Sequence, residues 1–362
     1  MIQSRLKEFQ FLFNKLPFQL IFYPTSRCNA LCDHCYNYER QDKQTKDEEL
    51  SLEEIDKISS NLGHIKILTI SGGEPFLRKD IFEIVEIFYK KNGLQYVSIH
   101  SNAFLKNIII QKISEILEKL PKITVVFCVS IDGIGEVHDK MRAFKSGFKV
   151  MVETVQELEK LKEAYNDRLF LLSSTIFSRS TQGNYNKTIN YINKQFNYVK
   201  PAACFIRGDV RNNKEKKIDS SFYNKYLEEL DNNVDKSVSA FSPLALKETL
   251  EWMANKVVLK NHLAGTQTVP CQAGRKLLVI YENGDVYPCE LLKEGFGNLR
   301  DANYDIRKLL FSEKGKSIKK RINPGKACSC TWENIISINL LFDPLSYHNI
   351  IYNWFRLFIL NR

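Results

Sequence analysis

The sequence predicts an α/β fold: a sheet of parallel strands with crossover helices, followed by a smaller α+β unit. Apolar runs alternate with amphipathic runs over residues 17 to 207, which predicts six strands separated by helices. Strands that alternate with helices are usually parallel and joined by right-handed crossovers. The pattern changes after Arg207, where the charged stretch 209–217 predicts a linker.

Each element of the predicted sheet has its own signal. Ser51 with Glu54 three residues later forms a capping-box pattern that opens a helix. The run 123–131 is too apolar to alternate, which is typical of a strand buried on both faces. We predict strands over 20–25, 65–71, 95–100, 123–131, 169–177 and 198–206, and helices over 51–61, 80–91, 107–120, 147–165, 183–196, 220–236 and 243–262.

Composition bounds the class of protein. The chain has 362 residues, of which 44% are hydrophobic, enough to bury one large core or two modest ones. The formal net charge is +10, but lysines are scattered along most amphipathic segments, which favours a solvated basic surface over a nucleic-acid site. The densest basic stretch, residues 314–326, is expected to be a loop.

No uninterrupted apolar run approaches membrane-spanning length, and charges interrupt the N-terminal segment, which makes it a poor signal peptide. The nine cysteines are an odd number and cluster as a triplet and pairs, which fits metal ligation better than a disulfide framework. We therefore expect a cytoplasmic protein.

The triplet Cys28, Cys32 and Cys35 has the spacing C-x3-C-x2-C, directly after the first predicted strand. Iron–sulfur clusters normally take four cysteines, so three thiolates on a cubane would leave one iron open to a small molecule. The alternative is a structural zinc site, which needs a fourth ligand. His34 is the nearest candidate, but it is wedged between two of the cysteines.

With the aromatic Tyr36 after it, this triplet resembles the radical S-adenosylmethionine (radical SAM) enzymes. In that family the open iron chelates the amino and carboxylate groups of SAM. The reduced cluster cleaves SAM to a 5′-deoxyadenosyl radical, which abstracts hydrogen from a substrate. The resemblance implies a partial (β/α)6, TIM-like barrel, with the cysteine loop at the carboxyl end of the first strand. That end is where such sheets carry their functional residues.

Two further motifs carry the same resemblance. The loop Ser71-Gly72-Gly73-Glu74-Pro75 follows the second strand, where glycines let the backbone approach a ligand closely and Glu74 could accept from an ammonium. The stretch from Ser130 to Arg142 matches the family's fourth-strand region, where an arginine fork suits a carboxylate. The resemblance implies a SAM-binding set of Tyr36, Gly72, Gly73, Glu74, Asn102, Ser130, Asp132 and Arg142.

The C-terminal cysteines form a second site. Cys271 and Cys289 flank a hairpin signal at Asn283-Gly284, and Cys328 and Cys330 follow. The arrangement resembles the SPASM/twitch domain, which implies one auxiliary 4Fe–4S cluster held by these four cysteines. A four-cysteine zinc ribbon is the alternative. The two other cysteines inside the barrel, at 128 and 204, are expected to be core residues.

The resemblance implies three segments: the barrel over 17–215, a helical linker with the twitch domain over 216–335, and an apolar helical tail over 336–362. The expected function is a radical SAM oxidoreductase or maturase acting on a small polar metabolite or a ribosomal peptide. A flavodoxin or ferredoxin would supply electrons. The competing hypotheses are a non-catalytic, cysteine-rich zinc or iron–sulfur protein that binds nucleic acid, and an RNA-modifying radical SAM enzyme. The tail is expected to dock on the barrel, with membrane contact as the alternative.

Overall fold

The computed structural model describes residues 16–43, 48–232, 239–322 and 328–360. Its strands are β1 Gln19–Phe22, β2 Ile67–Ile70, β3 Tyr96–Ser101, β4 Thr124–Ser130, β5 Leu169–Phe177, β6 Val199–Lys200, β7 Ala203–Phe205, β8 Leu277–Ile280, β9 Asp285–Tyr287 and β10 Gly297–Asn298. Its helices in the first half are α1 Tyr38–Lys43, α2 Leu52–Leu62, α3 Ile81–Asn92, α4 Lys106–Lys119, α5 Glu136–Arg142, α6 Gly147–Ala164 and α7 Tyr185–Gln195. Those in the second half are α8 Ser220–Asn232, α9 Pro243–Ala264, α10 Ile306–Leu310, α11 Glu313–Arg321, α12 Glu333–Leu341 and α13 Tyr347–Phe355.

The strands of the described residues form one sheet in the order β10-β9-β8-β1-β2-β3-β4-β5-β6, with β7 paired to β5. Strands β1 to β6 are parallel, which confirms the predicted α/β class with helices as crossovers. The residues of the last predicted strand, 198–206, divide into β6 and β7, with Pro201 between them. Proline cannot donate a ladder hydrogen bond, which explains the interruption.

The C-terminal hairpin extends the barrel sheet instead of forming a separate one. Strand β8 runs parallel to β1, pairing Gln19 with Leu277 and Phe22 with Ile280, and β9 returns antiparallel to β8. Gly284 in the connecting turn has a φ of +88°, a conformation that glycine adopts without strain. The second cysteine site is therefore attached directly to the strand that leads into the first.

One secondary-structure prediction was wrong. The basic stretch expected as a loop begins as helix α11, which Ser312 caps by accepting a hydrogen bond from the Gly315 amide. The remainder of that stretch, 323–326, lies outside the described residues.

The apolar tail forms α13 and a π-helical turn over Arg356–Leu360. Leu357 and Phe358 are buried, whereas Ile351 and Tyr352 are each 63% exposed, so the tail packs one face against the molecule. No helix in the described ranges combines the length and apolarity needed to cross a membrane. Membrane contact through the exposed face, like the cytoplasmic location, stays a prediction.

Candidate functional site

The three-cysteine loop begins at the carboxyl end of β1. Cys32 is buried, and Cys28 and Cys35 are half-buried. The pKa of Cys28 is raised to about 12 and that of Cys35 to about 11, mainly by burial and in part by the neighbouring thiols of the triplet. The three thiols are thus close enough to interact electrostatically, as ligands of one cluster must be.

The glycines of the Ser71–Pro75 loop lie against the backbone that leads into this triplet. The Gly73 amide donates to the carbonyl of Thr25 at 3.0 Å, and the Glu74 amide donates to the carbonyl of Arg27 at 2.8 Å. A Cβ on Gly73 would lie 1.9 Å from the Arg27 carbonyl oxygen, so only glycine fits. The sequence predicted close approach of this loop to a ligand, and the structure shows close approach to the cysteine loop.

Glu74 is fully buried and points toward the ends of β2 and β3. Its carboxylate accepts from Ser101 Oγ and from the Asn102 amide, both at 2.9 Å. Burial raises its pKa to about 7, although these hydrogen bonds act in the opposite direction. A buried carboxyl with so high a pKa favours a cationic partner, because such a partner would stabilise the ionised form.

Arg142 connects the fourth-strand region to the cysteine loop. Its Nη2 lies 2.5 Å from Asp132 Oδ2, and its Nη1 donates to Cys32 Sγ at 3.7 Å. Its buried Nε has no hydrogen-bond partner among the described residues. His34 Nε2 also faces Asp132, at 3.6 Å, and burial lowers the pKa of that imidazole to about 4. Asp132 thus orients Arg142 toward the cysteine loop.

The second cysteine site is more enclosed. Cys271, Cys289 and Cys330 are buried, and Cys328 is half-buried. Burial raises the pKa of Cys271 and Cys289, and the thiols of the group shift each other's pKa further. Within the part of the chain that the structure describes, none of these four cysteines lines the large cavity of the barrel.

That cavity has a volume of about 1430 Å³ and reaches from the three-cysteine loop into the barrel lumen. All the residues predicted to bind SAM line it except Asp132, which lies behind Arg142. The triplet lines it as well. The lumen wall carries several polar side chains among its apolar ones: Gln19, Thr69, Ser98, His100, Cys128, Ser174 and Cys204.

Comparison with known proteins decides the family. Residues 22–172 match the family model described as "Radical SAM superfamily". Residues 22–172 of this chain are a radical SAM domain. The predicted membership of the superfamily is thereby confirmed, and the three-cysteine loop lies within the matched residues.

Relatives and solved structures extend the likeness beyond the radical SAM domain. The "AdoMet-dependent heme synthase" of Methanosarcina barkeri is 27% identical over 290 residues, which cover 76% of this chain and 78% of that protein. The "Fe-coproporphyrin III synthase" of the same organism is 34% identical over 146 residues, but these cover only 38% of this chain and 33% of that protein. A structure of anSMEcpe with bound AdoMet and Cp18Cys peptide has a TM-score of 0.57 at 17% identity, and covers 94% of this chain and 96% of its own. That coverage shows that the fold is shared through the C-terminal domain.

Two cavity residues that the sequence did not single out connect the radical SAM domain to the C-terminal domain. Glu290 accepts from Tyr23 at 2.9 Å, from Tyr36 at 3.1 Å and from Arg207 at 2.7 Å. Tyr36 follows Cys35, and Glu290 follows Cys289, so this network joins the two cysteine loops through one carboxylate. The proximity of Glu290 to Cys289 was the only available signal, since Arg207 is 83 residues away.

The residues present fit a radical SAM cluster and its SAM. Radical SAM proteins bind a 4Fe–4S cluster and SAM, and here three interacting thiols border a cavity that also exposes Glu74 and Ser130. The unpartnered Arg142 Nε is a donor available beside them. No three His, Cys, Asp or Glu side chains of the described residues converge as a site for a single metal ion. A cubane needs its thiolates around a cluster and not around one ion.

Proposed function

We propose that this radical SAM enzyme oxidises or rearranges a small polar metabolite or a residue of a ribosomal peptide, with help from an auxiliary 4Fe–4S cluster. The observation that carries the proposal is the continuous cavity from the three-cysteine loop to a polar lumen. Its volume of about 1430 Å³ exceeds the roughly 300–1,000 Å³ of ordinary ligand pockets. It therefore has room for SAM and a second molecule side by side.

The SAM-binding roles follow from charge and position. Cys28, Cys32 and Cys35 would hold the cluster, and Glu74 would accept from the amino group of SAM, since it is the carboxylate buried beside them. Arg142 and Ser130 would hold the carboxylate, and Tyr36 would border the adenine. When bound and reduced, the cluster supplies the electron that cleaves SAM to methionine and a 5′-deoxyadenosyl radical.

The lumen favours a polar substrate. Gln19 donates to Thr69 at 3.4 Å across β1 and β2, and hydroxyl, imidazole and thiol groups continue around the barrel. Such groups bind hydroxyls, amines and amides better than a purely apolar body. The likeness to anSMEcpe, solved with a bound peptide, supports a peptide residue as one member of this class.

The C-terminal cysteines would hold the auxiliary cluster. Four thiolates complete the usual ligand set of a cubane, so this cluster would offer no open iron and would serve electron transfer or shape the cavity. Electrons would enter from a flavodoxin or ferredoxin.

The test is anaerobic reconstitution followed by reduction. The protein should hold about eight irons, four for each cubane. With dithionite it should cleave SAM to 5′-deoxyadenosine and methionine even without substrate. Protein that takes up zinc and no iron under these conditions would overturn the proposal.

A further inference from the structure

Beneath the proposed SAM site, His100 and Cys128 face the lumen together. Residues two apart on a strand share a face, so Cys128 lies one layer below Ser130 on β4, and His100 lies near the end of β3, just before Asn102. Strands β3 and β4 pair His100 directly with Cys128. Both residues line the cavity, so Cys128, predicted as a core residue, is buried but faces the lumen.

The two side chains form a coupled acid–base pair. Ser98 Oγ lies 3.5 Å from His100 Nε2 and 3.5 Å from Cys128 Sγ. Burial raises the pKa of Cys128, but the charge and hydrogen bond of His100 outweigh it, and the thiol pKa falls below its usual value. Burial lowers the pKa of His100, and Cys128 outweighs that effect too. The two shifts bring the pKa values of the thiol and the imidazole closer together, which favours proton exchange between sulfur and nitrogen.

The same cavity contains a cysteine without this coupling. Cys204 contacts Ser174 Oγ at 3.3 Å, and burial raises its thiol pKa to about 12. It lies on β7, which pairs with β5, whereas His100 lies on β3. Cys204 is a matched control, because it shares the cavity and a hydroxyl neighbour but has no imidazole partner among the described residues.

We propose that Cys128 donates a hydrogen atom to a carbon radical formed in the lumen, and that His100 returns the proton. In the first step the carbon radical takes H from the thiol: the S–H bond breaks, a C–H bond forms and a thiyl radical remains. In the second step one electron from an iron–sulfur donor and one proton from the His100 imidazolium restore the thiol. Water then reprotonates the imidazole.

This inference rests on the proposed function, and it favours one of the two outcomes stated there. A substrate radical quenched by a thiol regains the hydrogen it lost, with no net oxidation. The substrate class is then a polar molecule or peptide residue with a C–H centre that can be rearranged or inverted. In this reaction the auxiliary cluster would donate an electron to the thiyl radical. In an oxidative reaction it would instead accept an electron from the substrate radical.

The test needs no identified substrate. Cluster-loaded protein is given SAM and dithionite in D2O, and 5′-deoxyadenosine is analysed by mass spectrometry. Only exchangeable hydrogens become deuterium, and an S–D bond is weak enough for the deoxyadenosyl carbon radical to cleave, whereas O–D and N–D bonds are not. Wild-type protein should yield singly deuterated 5′-deoxyadenosine. Cys128→Ser should lose the label, and Cys204→Ser should retain it.

His100→Gln separates proton return from mere packing. We expect the first turnover to keep its label and later turnovers to lose it, because the thiyl radical is no longer reprotonated efficiently. Iron content verifies that each variant is loaded, and Cys128→Ala replaces the serine variant if that one does not fold.

If wild-type protein yields unlabelled 5′-deoxyadenosine, that result alone overturns this inference. Full deuterium labelling in both Cys128→Ser and Cys128→Ala would also overturn it. In either case SAM is still cleaved, and the proposed function stands. Absence of SAM cleavage in wild type would instead overturn the proposed function itself.

Discussion

The two cysteine sites of this protein differ in what surrounds them. The triplet at the end of β1 lines a large cavity together with a buried carboxylate and a partly unpartnered arginine. The C-terminal four are set away from that cavity, among the described residues, and three of them are buried. The first arrangement would leave room for a molecule beside a cluster, and the second would enclose most of a cluster.

The surroundings of the two sets of cysteines differ because each set follows a different strand of the sheet. Strand β1 is central and parallel on both sides, so the loop after it lies at the edge where all the crossover loops converge. Strand β8 enters the same sheet, but it leads into a tight hairpin that returns to Cys289. A hairpin brings its flanking residues together and leaves no cleft between them.

The largest effect is expected from removing one set of cysteines at a time. Changing Cys28, Cys32 and Cys35 together to Ala should remove about four irons, the content of one cubane, and abolish SAM cleavage. Cys289→Ala should also lower the iron content, yet leave 5′-deoxyadenosine formation without substrate largely intact. Normal product formation by a folded Cys289→Ala variant would mean that the C-terminal site is only a structural cap.

The network that joins the two sites should matter for stability. The side chains of Arg207 and Glu290 are only 14% and 3% exposed, and removing one partner of such a largely buried ion pair costs about 3–5 kcal/mol. Arg207→Met should therefore lower the free energy of unfolding strongly in denaturant titrations of the apoprotein. The double variant Arg207→Met, Glu290→Met should recover much of that loss, and an additive double variant would show that the pair is not coupled.

A smaller effect, on SAM affinity alone, is expected from a substitution beside the three-cysteine loop. Glu74→Gln should weaken SAM binding by roughly 10- to 100-fold, the value of a charge-assisted hydrogen bond of about 1.5–3 kcal/mol. Glu333→Gln is the matched control, since burial also raises the pKa of this cavity-lining carboxyl to about 7. Equal affinity loss in both variants would remove Glu74 from the SAM site.

The pKa of Glu74 also predicts a pH dependence of SAM binding. Burial raises that pKa to about 7, and only the ionised form can accept a charge-assisted hydrogen bond from the amino group of SAM. Affinity should therefore fall as the pH drops below about 7 and level off above it. Titration calorimetry with the cluster-loaded protein measures this, and Glu74→Gln should flatten the curve.

The cysteine loop and the Ser71–Pro75 loop were predictable because short sequence motifs identify both of them. The capping box was predictable for the same reason: Ser51 and Glu54 exchange both hydrogen bonds of the motif. The hairpin followed from Asn283-Gly284. Each of these signals lies within a few residues, so local geometry alone determines its structure.

The lumen-facing side chains and the contacts between distant residues could not be predicted, because they depend on closure of the barrel. Residues 123–131 contain few polar side chains, which predicted a strand packed on both faces, but Cys128 and Ser130 line the cavity. The inward face of a strand becomes a cavity wall only when distant strands curve around it. Arg207 and Glu290 meet for the same reason, and helix α11 was missed because its lysines show no apolar periodicity.

The smallest loss of stability is expected at the surface contact between the barrel and the C-terminal domain. Arg300 Nε donates to the capping-box residue Glu54 at 2.7 Å, and Tyr304 donates to it at 3.0 Å. The Arg300 hydrogen bond is the main reason that the pKa of Glu54 falls to about 2. Glu54→Gln should cost about 1 kcal/mol of stability, as the loss of a helix cap does.

The pH dependence of that loss tests its origin. A carboxyl with a depressed pKa contributes stability above its unfolded value of about 4.5, and the contribution disappears as the pH falls through about 2. The difference in unfolding free energy between wild type and Glu54→Gln should therefore be constant near neutral pH and shrink in acid. Glu53→Gln is the control, because Glu53 lies in the same helical turn, but its side chain is 78% exposed and pairs with Lys57 at the surface. A pH-independent Glu54→Gln difference would mean that the carboxylate's packing, and not its charge, joins α2 to the C-terminal domain.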